Sequence, residues 1–416
     1  MSESASLPDA DPSALTIEAA RSAILRALTP SSKTVRISTT QALGRILAAA
    51  VESPVDVPPF RASAMDGYAL RFAEYETLLR ISGASLAGHP GADSFPAQCC
   101  VRVTTGARIP DDADTVVQQE NVEIQNDHVR IVKAPEKGLH VRVAGSDSAK
   151  GCLLLDRGAR LGSAELAVLA AHGIADVPVF ERLKVGVFST GDELVTANET
   201  PRKGQIFNAN GQLIESLLQS TALTILDLGI VGDTPEALRS VLESSADCDI
   251  LISSGGVSVG DADHVREVLG ESGSVDLWKI AMKPGRPLTF GFTGNQQPYF
   301  GLPGNPVSAA VTALLFVRPA LNHLLNTQTA TLPPLHLPVM STLKKLPGRV
   351  EFQRGIMMQN EKGEWQVDTT GLQDSHVLSS LQKANCLIEL SLESAGAGIG
   401  DKVRVYPYQY FSDATL

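Results

Sequence analysis

Residues 249–264, Asp-Ile-Leu-Ile-Ser-Ser-Gly-Gly-Val-Ser-Val-Gly-Asp-Ala-Asp-His, constrain this chain more than any other stretch. The apolar run 250–252 reads as a buried strand. It gives way to small residues and then to Gly255 and Gly256, which adopt backbone angles closed to other residues. A helical pattern follows, with Val265, Val268 and Leu269 on one side and Asp261 as its cap. Strand, glycine turn and helix start in series aim several backbone N–H groups at one point, and that point favours an anion. Asp261 and Asp263 stand beside it, which suits an anion arriving with a divalent cation.

The surrounding rhythm places this unit in an open sheet. Strands at 184–188, 224–228, 275–281 and 299–301 alternate with helices at 212–219, from Pro235, and from Pro306 to about residue 325. Such alternation implies a largely parallel sheet covered on both faces. Upstream, a helix is expected from Thr16 to near Pro30, and a second around 40–50 carrying Leu43, Ile46 and Leu47. Short strands at 79–82, 101–104, 115–119 and 128–132 suggest a small β-domain, and Ser163 is expected to cap a helix to about His172. Pro333 and Pro338 break the alternation, and strands at 350–359, 365–368, 386–390 and 402–406 predict an all-β tail.

Length and charge narrow the class. A chain of 416 residues suggests two to four domains. A net charge of −11 argues against a general nucleic-acid or anionic-membrane binder, so basic residues that matter must act as local clusters. The five cysteines are scattered, with no zinc-type spacing, as in a reducing compartment. Residues 1–13 read as a disordered lead, the acidic first twelve carry no signal-peptide pattern, and no apolar run is expected to span a bilayer. A cytoplasmic protein is the expectation.

Ligands in such sheets bind beyond the carboxyl ends of the strands. Four motifs fall there: Thr190-Gly-Asp-Glu193, 255–263, Lys283-Pro-Gly-Arg286 and Leu302-Pro-Gly-Asn-Pro306. Each alone could be a plain turn. Together they bring Asp192, Glu193, Asp261, Asp263, Lys283 and Arg286 to one rim. Carboxylates near an N–H cradle would repel a phosphate unless Mg2+ lies between them. Lys279, Lys283 and Arg286 would supply charge for oxyanions.

These residues carry a resemblance. Ser63-Ala-Met-Asp-Gly-Tyr68, Thr105-Gly-Ala107, Ser189-Thr-Gly-Asp-Glu-Leu194, 253–263, Lys283-Pro-Gly and Leu302-Pro-Gly-Asn-Pro-Val-Ser308 resemble the molybdopterin molybdenumtransferases of the MoeA type, which include the gephyrin E domain. The likeness runs from about residue 15 to 408. It implies an α/β multidomain subunit: a three-layer αβα molybdopterin-binding (MogA-like) domain at 182–327, a small β-domain at 53–142, an elongated α/β linker domain from 31–52 and 143–181, and a C-terminal β-barrel at 328–416. The helical segment 1–30 would dock on the α/β domain.

The implied reaction takes adenylylated molybdopterin and molybdate, inserts molybdenum at the dithiolene and releases AMP, with Mg2+ as cofactor. By the resemblance, Glu193 and Asp263 would bind the metal and join Asp66, Lys279 and Lys283 in catalysis. Thr105, Asp147, Asp233, Gly255, Gly256, Ser258, Pro303, Asn305, Pro306, Ser308, Arg354 and Ser375 would bind the ligand. Asp66, Thr105 and Asp147 would reach the partner's cleft in a homodimer. The adenylyltransferase and recipient molybdoenzymes are further implied partners. Two positions depart from the family pattern: Arg286 replaces a common lysine, and the loop 142–147 lacks some Arg and Glu residues. A molybdopterin-binding scaffold and a molybdopterin adenylyltransferase are the alternative functions.

Overall fold

The computed structural model describes residues 9–255, 268–270, 273–328 and 333–411. Residues 9–15 are not a loose lead. The Asp9 N–H donates to the Pro347 carbonyl (2.9 Å) and the Leu15 N–H to the Lys279 carbonyl (2.8 Å). Asp9 also pairs with Arg349, and Asp11 with Arg286. An acidic, proline-bearing stretch reads as disordered because composition carries no record of cations waiting elsewhere on the surface.

The helix Ile17–Ala27 starts where expected, with Thr16 Oγ1 accepting from the Ala19 N–H (3.1 Å). Its buried face, Ile17, Ala20 and Ile24, joins the main core. The helix expected around 40–50 does not form. A three-residue 3-10 turn, Thr39–Gln41, is followed by Gly44 at φ +73°, which breaks any helix. Ile46 and Leu47 are buried through bridges to Arg160 and Val179, while Leu43 stays 48% exposed. The strand pair Thr34–Ser38 and Asp176–Phe180 ties this segment to the helix Ser163–Ala171. That helix is capped at Gly162, not Ser163: the Glu165 carboxylate reaches back to the Gly162 N–H (2.9 Å) and makes a hydroxyl cap unnecessary.

The small β region is a six-stranded sheet, in order Thr115–Gln118, Gly67–Leu70, Cys99–Val103, Leu79–Ser85, His128–Ile131, Val122–Gln125. Alternation sends Ala69, Val101 and Val116 to one core and Tyr68, Leu70, Cys100 and Val117 to another. The five cysteines are free, and burial pushes the Cys100 thiol up to about 12, so it is an inert packing group.

The α/β region holds the second six-stranded sheet, in order Leu223–Val231, Leu183–Thr190, Ile250–Ser254, Pro298–Leu302, Pro287–Phe292, Ser274–Lys279. The first four strands run parallel, and Pro287–Phe292 is antiparallel to both of its neighbours. Every position of Ile250–Ser254 and Pro298–Leu302 is buried, as central strands with two covered faces require. The last helix, Pro306–Leu324, contains one π-helical turn at Ala313–Val317. By length and composition it could cross a bilayer, contrary to the sequence expectation, but 78% of its apolar window is buried inside the protein. Its apolarity serves the core.

The tail forms a mainly antiparallel sheet in order Met282–Lys283, Val350–Gln359, Cys386–Leu390, Lys402–Pro407, Leu335–Pro338, with Trp365–Thr369 also pairing on Val350–Gln359. Leu335–Pro338 was expected as a break. It is an edge strand, where proline costs no ladder bond.

Candidate active site at the carboxyl rim of the parallel sheet

From Leu183–Thr190 the chain crosses to Leu223–Val231 on one side, then to Ile250–Ser254 on the other. This reversal of strand order is where open α/β sheets bind ligands. Ser189 pairs with Ser254, and Ser254 with Leu302, so three strands end together and their loops emerge side by side. Between them opens a hollow of about 500 Å³.

Its floor and walls are built from three of the four motifs: Thr190, Gly191 and Glu193; Gly255; and Gly304, Asn305 and Pro306. Asp233 and Ser254 also line it. Gly255, at φ +92°, passes so near Thr190 that a Cβ would lie 2.6 Å from its carbonyl oxygen. Gly191, at φ +145°, lies under the folded-back Glu193 carboxylate. Asp192 and Asp233 clasp across the rim: the Asp233 N–H donates to Asp192 Oδ1 (3.2 Å) and the Asp192 N–H to Asp233 Oδ2 (3.4 Å). Among the described residues, the buried Thr190 hydroxyl has no hydrogen-bond partner.

Asn208 and Asn210 escaped the sequence reading. Asn208 Oδ1 accepts from Ser189 Oγ and from the Gly211 N–H, both at 3.1 Å, so it caps the helix Ala209–Leu218 while facing the rim. An asparagine just before an apolar helix was its available signal. Asn210 Nδ2 donates to Ser254 Oγ and to the Gly304 carbonyl, both at 2.7 Å, stapling two rim loops. No local pattern marks that role.

Other sequence candidates lie elsewhere. Gly256, Ser258 and Asp263 fall outside the described residues. Lys279, Lys283 and Arg286 do not line the hollow. Lys279 lies 3.7 Å from Asp11, Lys283 lies 3.5 Å from Glu351, and Arg286 pairs with Asp11. Lys283 is drawn into the edge of the tail sheet beside Val350–Gln359. Pro303 and Ser308 are buried behind the rim.

Arg354 is 1% exposed, and its guanidinium points inward. Nε donates to Ser380 Oγ (3.0 Å), Nη1 to the Phe352 carbonyl and Nη2 to the Asp374 carbonyl (both 3.3 Å). Burial holds this guanidinium below its ordinary pKa. It clamps the turn that carries Ser375, whose carbonyl accepts from the Val307 N–H (3.1 Å) at the start of the rim helix. That clamp brings His376 to the wall of the hollow.

Asp66 and Thr105 meet in the small β region. Asp66 Oδ1 accepts from the Thr105 N–H (2.6 Å) and hydroxyl (2.9 Å), and these bonds hold its carboxyl below the usual range. Asp147 sits on the return strap, its N–H donating to the Val57 carbonyl (3.0 Å). A second hollow of about 480 Å³, lined by Leu217, Leu314, Leu381 and Phe411, has Arg318 as its one charged lining residue and lacks paired carboxylates.

Fold and rim together define a multidomain α/β protein with a hollow at a sheet's switch point, flanked by two β-rich units. The chain belongs to the molybdopterin molybdenumtransferase (MoeA) family. Residues 15–173 match the MoeA N-terminal region (domain I and II), 186–323 a probable molybdopterin binding domain, and 336–408 the MoeA C-terminal region (domain IV). The molybdopterin molybdenumtransferase of Haemophilus influenzae is 39% identical over 402 residues, covering 95% of this chain and 99% of that one. Gephyrin of Dictyostelium discoideum is 33% identical over 85% of this chain and 56% of its own length. A molybdopterin biosynthesis MoeA protein of Pyrococcus horikoshii superposes with a TM-score of 0.82 at 26% identity, covering 95% of this chain and 100% of that one.

Proposed function

We propose that this protein inserts molybdenum from molybdate into adenylylated molybdopterin and releases AMP, as the last chemical act of molybdenum cofactor assembly. The observation that carries this reading is the meeting of Glu193, Asp233, Gly255 and Asn305 around one hollow at the switch point.

The donors there fit Mg2+. Two carboxylates line the hollow, and Mg2+ takes one or two carboxylates with phosphate oxygens and water. Glu193 would hold Mg2+ with Asp263, and Asp233, which lines the same hollow, would add negative charge to the site. When bound, Mg2+ supplies neutralising charge at the phosphoanhydride.

The chain's own residues bind and orient. Gly191 and Gly255 let backbone N–H groups approach the phosphates. Asn305 and Pro306 shape the rim. Lys279 and Lys283 receive molybdate by exchanging carboxylate partners for the oxometallate. Asp66, Thr105 and Asp147 complete the cleft of a second copy in a cytoplasmic homodimer. Rate enhancement comes from positioning and charge stabilisation at phosphorus.

The test is AMP release and cofactor formation by the purified protein supplied with adenylylated molybdopterin, molybdate and Mg2+. Glu193→Ala is expected to abolish both. Wild-type protein that releases no AMP under these conditions overturns the proposal.

A further inference from the structure

Among the described residues that line the hollow, two carry negative charge, Glu193 and Asp233, and no lysine or arginine is present. Among those described residues His376 is the one basic side chain. It is exposed, and no described residue makes a hydrogen bond or ion pair with its imidazole. Its placement is nevertheless fixed. Arg354 holds the Asp374 carbonyl, the Ser375 carbonyl takes the Val307 N–H, and the His376 carbonyl takes the Leu378 N–H (2.9 Å). The side chain without a partner thus sits on a backbone that is tied at three successive residues.

We infer that His376 is a substrate-binding residue, donating an imidazole N–H to a phosphate oxygen of the nucleotide-bearing ligand from the wall of the hollow that the C-terminal region supplies. This deepens the function proposed above and rests on it. The chemistry is simple. Glu193 and Asp233 make the hollow repulsive to a phosphoanhydride wherever a metal does not screen them. A neutral or protonated imidazole offers that ligand an N–H donor in the same hollow. The residue comes from the tail region, so substrate binding would bridge the α/β and C-terminal parts of one chain.

The experiment measures steady-state AMP release by wild-type protein and by the His376→Ala and His376→Arg variants, with adenylylated molybdopterin varied at saturating molybdate and Mg2+. Loss of a hydrogen bond to a charged oxygen predicts KM raised about 10-fold with kcat within about 2-fold in His376→Ala, and recovery in His376→Arg. Thermal melting should be unchanged, since nothing leans on this side chain. A KM equal to wild type in His376→Ala, or a fall confined to kcat, overturns the inference. A wild-type protein that turns over no substrate instead overturns the function. The inference is then decided by calorimetry with AMP: equal affinities for wild type and His376→Ala, or no AMP binding to either, refute it.

Discussion

The Asp11 carboxylate closes on Arg286, 275 residues away in sequence, and the same oxygen lies 3.7 Å from Lys279 Nζ. The segment before the first helix is therefore a strap over two cations that the family resemblance assigns to oxyanion chemistry. Asp11→Asn should free both. Solvent-screened pairs of this kind add little to stability, so the melting temperature should barely move. Limited proteolysis should cut before Thr16 faster in the variant.

The pH behaviour of that strap has a definite sign. Hydrogen bonds from Ser13 and then Arg286, together with the nearby positive charge of Lys279, hold the Asp11 carboxyl well below the ordinary range. A depressed carboxylate stabilises the folded contact at any pH above its unfolded value of about 3.9, and the contribution fades only as acid carries the solution down toward the folded value. Protection of the strap should be equal at pH 7 and pH 5. Loss by pH 5 would show that the contact does not form in solution.

Thr105 sets the charge of Asp66 through two hydrogen bonds. Thr105→Val removes the hydroxyl and keeps the backbone donor, so the Asp66 carboxyl should rise part of the way toward its ordinary value. If Asp66 works as the anion, the acid limb of the pH–rate profile should move to higher pH in this variant. Asp66→Asn should lower turnover by about 100- to 10,000-fold, the range for losing one positioned acid–base group.

Gly191→Ala would press a methyl group to 2.5 Å from a Glu193 carboxylate oxygen. Because the obstructing atom ends a flexible side chain, Glu193 should swing aside and the fold should persist. Strain at φ +145° adds roughly 1 kcal/mol. A raised Mg2+ requirement for AMP release, with a melting temperature only a few degrees lower, is the expected result.

Arg354→Met should weaken the fold by roughly 1–3 kcal/mol in urea titration, the cost of leaving the Phe352 and Asp374 carbonyls and the Ser380 hydroxyl without their donor. Its guanidinium does not reach the hollow, so the accompanying loss of activity should follow displacement of Ser375 and His376. Ile252→Ala, in the middle of a fully buried strand, should cost about 2–5 kcal/mol.

What could be read from residues alone follows from range. The rim turns at Thr190–Glu193 and 302–306 were visible because glycine, proline and a preceding apolar run are neighbours in the chain. So were the strands Val350–Gln359 and Cys386–Leu390, whose bounds coincide with their patterns. Gly67–Leu70 went unnoticed because its glycine masks a strand. The reason for that glycine is the Val117 carbonyl, which leaves no room for a Cβ. Pro287–Phe292 and Leu335–Pro338 were hidden by their prolines. The partners of Lys279, Lys283 and Arg354, and the arrival of Asn210 and His376 at the rim, depend on contacts between distant segments that no local spacing records.

The hydrogen bond from Val307 to Ser375 joins the first turn of a helix in one sheet's territory to a turn in the other's. Severing the chain near residue 330 and purifying each half would therefore yield an α/β fragment whose pocket lacks a wall, however well it folds. The two regions are better treated as one indivisible unit of heredity and engineering than as exchangeable cassettes.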